Sequence, residues 1–89
     1  MLDKEITIIN KLGLHARAAA KFVNLASGFS SEINISRNGR TVNGKSIMGV
    51  MMLAASCGST IRLSVSGSDE ELALQQLEQL IQDRFGEDA

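Results

Sequence analysis

Ile61-Arg62-Leu63-Ser64-Val65-Ser66-Gly67-Ser68-Asp69-Glu70-Glu71 changes backbone period partway along its length. Ile61, Leu63 and Val65 alternate with Arg62, Ser64 and Ser66, the period of a strand with one buried face, and Gly67 closes the run. Ser68-Asp69-Glu70-Glu71 then has the pattern of a capping box. Beyond it Leu74, Leu77, Ile81 and Phe85 recur at helical spacing, which predicts a helix over about residues 69–84. A half-buried strand feeding an amphipathic helix sets the fold class as α+β, provided the rest of the chain supplies partners for both.

Working back toward the N-terminus, the chain supplies them. Gly44-Lys45-Ser46 opens a short apolar segment, Ile47 to Leu53, whose length and Ser46 N-cap predict a two-turn helix. Residues 32–43 hold two short alternating runs, Ile33/Ile35 and Thr41/Val42, around Asn38-Gly39, a pair that tolerates the positive φ of a tight hairpin. Ala19, Phe22, Val23 and Ala26 line one face of a helix over about residues 16–27, stopped at Gly28. Ile6 and Ile8 alternate with Glu5 and Thr7 in a first strand at residues 3–9. The order is therefore βαββαβα: an open-faced β-sandwich, a four-stranded antiparallel sheet with three helices on one face and water on the other.

A chain of 89 residues makes a single domain, 1–89, with one core and no room for a deep walled cavity, so its function belongs on the surface. The apolar share of 44% and charged share of 21% describe a folded globular domain, expected to be a monomer. A net charge of −1 and three aromatic residues, all Phe, argue against nucleic acid as a partner. Met1-Leu2-Asp3-Lys4-Glu5 lacks the basic-then-apolar pattern of a secretory signal, and no apolar run is long enough to span a bilayer, so a cytoplasmic protein with no membrane insertion is expected. Cys57 stands alone and, with one histidine in the chain, cannot assemble a zinc site; no metal and no cofactor is called for.

The βαββαβα order does not name a function, because open-faced sandwiches host metal carriers, RNA binders and regulatory modules alike. His15 narrows the field. It stands where the Gly13 turn meets the first helix, and the first backbone N–H groups of a helix, from Ala16 and Arg17, lack intrahelical partners and offer an anion cradle at the positive end of the dipole. That positive end disfavours an imidazolium and leaves a nucleophilic lone pair on one ring nitrogen. Arg17 adds a guanidinium matched to phosphate oxygens. His15 as nucleophile with Ala16 and Arg17 as phosphate binders makes a phosphoryl acceptor, although a histidine beside an arginine at a helix start is often only a cap or a surface residue.

Two segments resolve that choice by resemblance. Asn10-Lys11-Leu12-Gly13-Leu14-His15-Ala16-Arg17-Ala18-Ala19 resembles the active-site segment of the HPr family, phosphocarriers of the bacterial phosphoenolpyruvate-dependent phosphotransferase system, and Val42-Asn43-Gly44-Lys45-Ser46-Ile47-Met48-Gly49-Val50-Met51 resembles its second family segment. The resemblance runs over essentially the whole chain. It implies that His15 takes a phosphoryl group on its δ1 nitrogen from enzyme I and passes it to an enzyme IIA, a relay and not an enzyme in the turnover sense. It implies that Ser46 is the regulatory site used in some bacteria by HPr kinase/phosphorylase, beyond its role as a cap. It also implies a docking surface on the second helix, where Ile47, Met48, Met51 and Met52 exceed what one buried face requires while Val50 and Leu53 belong to the core. Ala18 stands where many members carry proline, and Asn24, Ser27 and Gly49 stand where some carry lysine, which thins the positive rim. The nitrogen-related paralogue NPr and a non-transferring regulatory module share this fold; the intact His15 and Arg17 speak against the module. An RNA-binding or metal-carrying sandwich would need exposed aromatics or paired cysteines that the chain lacks.

Overall fold

The alternating apolar residues of the four strands all turn to the same side of one sheet. In the computed structural model, which describes residues 1–89, the chain runs β1 (Leu2–Thr7), α1 (Ala16–Ala26), β2 (Glu32–Arg37), β3 (Arg40–Asn43), α2 (Ile47–Met52), β4 (Thr60–Ser66) and α3 (Glu70–Gln82), then a single 3₁₀ turn at Arg84–Gly86. The strands lie in the order β1-β4-β2-β3 and every neighbouring pair is antiparallel. Register places Ile6 opposite Ile61 and Ile35 opposite Leu63, so these four and Ile33 and Val65 form a continuous buried surface under the helices. The opposite face carries Glu5 paired with Arg62 at 3.1 Å, with Asn34, Ser36 and Ser64, and remains polar. The expected order, antiparallel sheet and one-sided helix layer are all present.

From the helix side, α1 contributes Ala18, Ala19, Phe22, Val23 and Ala26, α2 contributes Val50 with Leu53 just past its end, and α3 contributes Ala73, Leu77 and Ile81. Asn38 and Gly39 adopt φ of 52° and 83°, the doubly positive geometry of a two-residue hairpin between Arg37 and Arg40. Their neighbours have a second use. Arg37 and Arg40 lie on the helix side of the β2–β3 hairpin and donate to Leu53 O at 3.0 Å and Met52 O at 3.1 Å, supplying cations and donors to carbonyls that α2 leaves unpaired at its C-terminus.

Element ends differ from the sequence expectation in two instructive places. The first strand is shorter than 3–9 by ladder pairing, yet Ile8 still exchanges backbone bonds with Ser59 and Gly58, so the extended path continues past Thr7. The third helix stops at Gln82, and Phe85 is not on it. Arg84, Phe85 and Gly86 take φ of 55°, 55° and 77°, reversing the chain so that Phe85 enters the core completely buried. Helical spacing and burial agree at Phe85 while the backbone does not: the ring fills core space that the helix would have passed by.

The capping box at Ser68–Glu71 is also corrected. Asp69 is the N-cap, but its carboxylate makes no cap bond; it accepts from the Ser30 N–H (2.8 Å), the Ser31 N–H (2.9 Å) and the Ser31 hydroxyl (2.5 Å). Glu70 instead reaches back to accept from the Gly67 N–H at 3.2 Å. Asp69 is thus used across the fold, to tie the loop between α1 and β2 to the start of α3.

Two outcomes follow for stability. The Ser31 hydroxyl and then the Ser30 N–H hold the Asp69 carboxyl below the ordinary aspartate value. A depressed native pKa stabilises the fold above the unfolded value of about 3.9 and ceases to do so as pH falls through the lower native one. Asp69→Asn is expected to melt lower than the wild type at neutral pH and to converge with it in strong acid; melting curves followed by circular dichroism at several pH values test this, and a constant offset at every pH counts against it. At Gly13, φ is +67° and a Cβ would lie 2.4 Å from the Ala55 carbonyl oxygen. Gly13→Ala is expected to cost more than the roughly 1–2 kcal/mol of a left-handed backbone alone, and a denaturant midpoint equal to the wild type's would refute the tight approach.

Candidate functional site

The reversal between β1 and α1 builds the site. Gly13 N–H closes a turn onto Asn10 O (3.1 Å), Leu14 N–H donates to Ala55 O (2.8 Å), and the Leu14 side chain is buried. This brings His15 to the N-cap position of α1 with extended backbone, φ −74° and ψ 178°. The next residues begin the helix, so the N–H groups of Ala16 and Arg17 have no carbonyl one turn back to bond and both residues are exposed. Arg17 pairs with no carboxylate of the chain. Ala18 keeps the helix start without proline and is itself buried in the core.

The His15 side chain makes no cap bond. Its Nε2 instead meets Glu87 Oε2, leaving Nδ1 without a protein partner. Glu87 arrives from the far end of the chain. Phe85 anchors the tail in the core, Lys21 Nζ donates to Phe85 O at 2.6 Å, and the Lys11 N–H donates to Ala89 O at 3.1 Å. The other Glu87 oxygen, Oε1, accepts at 2.9 Å from Asn10 Nδ2, which also donates to Gly13 O at 2.8 Å. Asn10 is fully buried, and its Oδ1 has no partner. The Asn10 amide, then the His15 ring, hold the Glu87 carboxyl below the ordinary glutamate value against a smaller opposing effect of burial. Around His15 an open depression is lined by Lys11, Leu12, Ala16, Arg17, Glu87, Asp88 and Ala89.

Sequence reasoning placed His15, Ala16 and Arg17 together, and the structure brings them together; it did not anticipate Glu87 or the side-chain role of Asn10. The visible signal was Phe85-Gly86-Glu87: an apolar anchor, a residue free to turn, and an acid just beyond the last helix.

Ser46 caps α2, its Oγ accepting from the Gly49 N–H at 3.1 Å. Along α2, Ile47 (41% exposed), Met48 (72%) and Met51 (39%) face outward with Met52, while Val50 and Leu53 are buried as their spacing implied. Leu12, beside His15, adds a further exposed apolar side chain. Lys45 Nζ is tied to the fold, donating to Phe29 O at 2.7 Å. Asn24 and Ser27 are exposed on α1 and just beyond it. No helix is long and apolar enough to cross a membrane.

Residues 2–83 match the family described as the PTS HPr component phosphorylation site. The chain is 60% identical over 87 residues to the phosphocarrier protein HPr of Cupriavidus necator, covering 98% of both, and 56% identical over 88 residues to that of Xylella fastidiosa, covering 99% of both. The crystal structure of HPr-C-His from Thermoanaerobacter tengcongensis superposes with a TM-score of 0.96 at 49% identity, over 100% of each chain. On these matches and this geometry, the chain belongs to the HPr family, the phosphocarrier proteins of the bacterial phosphotransferase system.

Proposed function

We propose that His15 is the phosphoryl acceptor, taking the group on Nδ1 from phospho-enzyme I and passing it to a histidine of an enzyme IIA. The observation that carries this reading is the asymmetry of the ring: Nε2 is occupied by Glu87 while Nδ1 has no partner, at a helix start whose N–H groups are open. In the forward step the Nδ1 lone pair forms the new N–P bond as the bond to the donor histidine breaks, and its electron pair returns to that donor. The Ala16 and Arg17 N–H groups and the Arg17 guanidinium stabilise charge on the transferring phosphoryl oxygens. The second transfer reverses these roles. No cofactor takes part, and the chain works as a single domain, 1–89, and a monomer in the cytoplasm.

Partners dock on the apolar strip of Ile47, Met48 and Met51, which lies on the helix packed beside α1. Methionine side chains adapt to more than one opposing surface, as a relay with a donor and an acceptor requires. Ser46 stands at the N-terminal edge of that strip. A phosphoryl group placed there by HPr kinase/phosphorylase is tolerated by the helix start but sets a negative charge against any partner approaching the strip.

Intact-mass spectrometry after incubation with phosphoenolpyruvate, Mg²⁺ and enzyme I tests the acceptor. One acid-labile phosphoryl group is expected on the wild type and none on His15→Ala; label retained by the variant would move the acceptor elsewhere. Met48→Asp, at an exposed position, is expected to leave melting unchanged and to raise the apparent KM for phospho-enzyme I roughly tenfold. Unaltered kinetics would remove this face of α2 from the interface.

A further inference from the structure

Glu87 is separated from His15 by 72 positions in sequence, yet its two oxygens have two different partners, the ring Nε2 and the Asn10 amide. From this bridge we infer that Glu87 is a positioning residue for His15, holding the ring proton on Nε2 so that Nδ1 keeps the lone pair; the inference rests on the acceptor role proposed above. A carboxylate on one imidazole nitrogen fixes which tautomer the other nitrogen presents.

The direction of every hydrogen bond in the bridge is determined. Asn10 Nδ2 donates to Gly13 O, a carbonyl that can only accept, so the amide cannot be turned over without setting two oxygens against each other. The same NH₂ group therefore faces Glu87 Oε1 and demands an acceptor there. The ring then donates from Nε2 to Oε2, and an ionised carboxylate is the side chain that accepts at both ends. The bridge is carried by the tail, which Phe85 anchors and Lys21 ties at Phe85 O.

During transfer the proton stays where Glu87 holds it. The Nδ1 pair becomes the N–P bond, the ring becomes cationic with its proton still on Nε2, and the Glu87 charge lies beside it. When the phosphoryl group leaves for the next histidine, the N–P electrons return to Nδ1 and the ring is neutral again, with no proton gained or lost. A protonated imidazole is also the better leaving group, so the same contact favours onward transfer.

The decisive variant is Glu87→Gln. With Asn10 pinned by Gly13, the new amide must put its oxygen toward Asn10 and its NH₂ toward the ring, which reverses the ring's bond and drives the proton to Nδ1. His15 is the one histidine of the chain, so long-range ¹H–¹⁵N correlations report its tautomer without ambiguity. The wild type is expected to hold the proton on Nε2, Glu87→Ala to give a mixture, and Glu87→Gln to hold it on Nδ1. Phosphoryl uptake from phospho-enzyme I by Glu87→Gln should fall on the order of a hundredfold or more, as for other wrong-tautomer substitutions, with the apparent KM for enzyme I little changed. A wild-type tautomer and wild-type rate in Glu87→Gln would overturn the assignment. Should that substitution unfold the tail, Glu87→Ala decides by the same spectrum: lost preference supports the role and an unchanged preference refutes it. The tautomer measurement needs no phosphoryl donor, so failure of the wild type to accept phosphate would sink the acceptor reading while Glu87's hold on the ring is still decided.

Discussion

The reversal between β1 and α1 is held by a buried amide. Asn10 has no exposure to solvent, and its NH₂ group bridges Gly13 O, within the reversal, and Glu87, on the tail. Leaving such a group unpaired inside a protein costs about 1–3 kcal/mol, so the turn and the tail each give the other a reason to stay. Gly13 makes the approach possible, since its left-handed backbone passes within van der Waals range of Ala55 where no side chain fits. With the reversal fixed, the start of α1 is aimed at water, and His15 is presented at its N-cap with no cavity needed to hold it.

A small sandwich of this kind divides labour between its two layers. The sheet and the inward faces of α1 and α3 spend their apolar residues on one core, and the far face of the sheet carries pairs such as Glu5 with Arg62 that keep it wet. The function proposed above uses the end of the molecule where α1 starts and α2 exposes its methionines. A relay protein must bind a donor and an acceptor in turn, release both, and expose the same atom to each, and a surface site beside an adaptable apolar strip meets those demands better than a buried one. Family membership, the open helix start and the outward face of α2 agree on this division.

The tail shows how a second use can be laid over a packing element. Phe85 closes the core, and the positive φ values at Arg84, Phe85 and Gly86 turn the chain back over the site. Arg37 and Arg40 do something comparable at the other end of α2, where a hairpin lends its cations to helix carbonyls. Asp69 follows the same pattern, leaving its helix cap unmade to hold the Ser30–Ser31 loop. In each case a charged side chain serves groups distant along the chain and not its own element.

Period and punctuation were enough to read the element order. Alternation at Ile6, Ile33/Ile35 and Ile61/Leu63/Val65, helical spacing at Phe22/Val23/Ala26 and Leu74/Leu77/Ile81, and the Asn38-Gly39 hairpin are local patterns, and local patterns are fixed by which side of an element must be dry. The proposed acceptor and its helix start were legible for the same reason, since His15, Ala16 and Arg17 are consecutive. Glu87 was not, because the bond that matters spans the whole chain and depends on a reversal at Arg84–Gly86 that helical spacing through Phe85 concealed. The destinations of Asp69, Arg37 and Arg40 were hidden likewise. The sequence determined what each segment buries and that His15 stands where the turn meets the first helix; only the packed structure decided which distant groups meet, because hydrogen-bond partners are chosen by proximity after the core has formed.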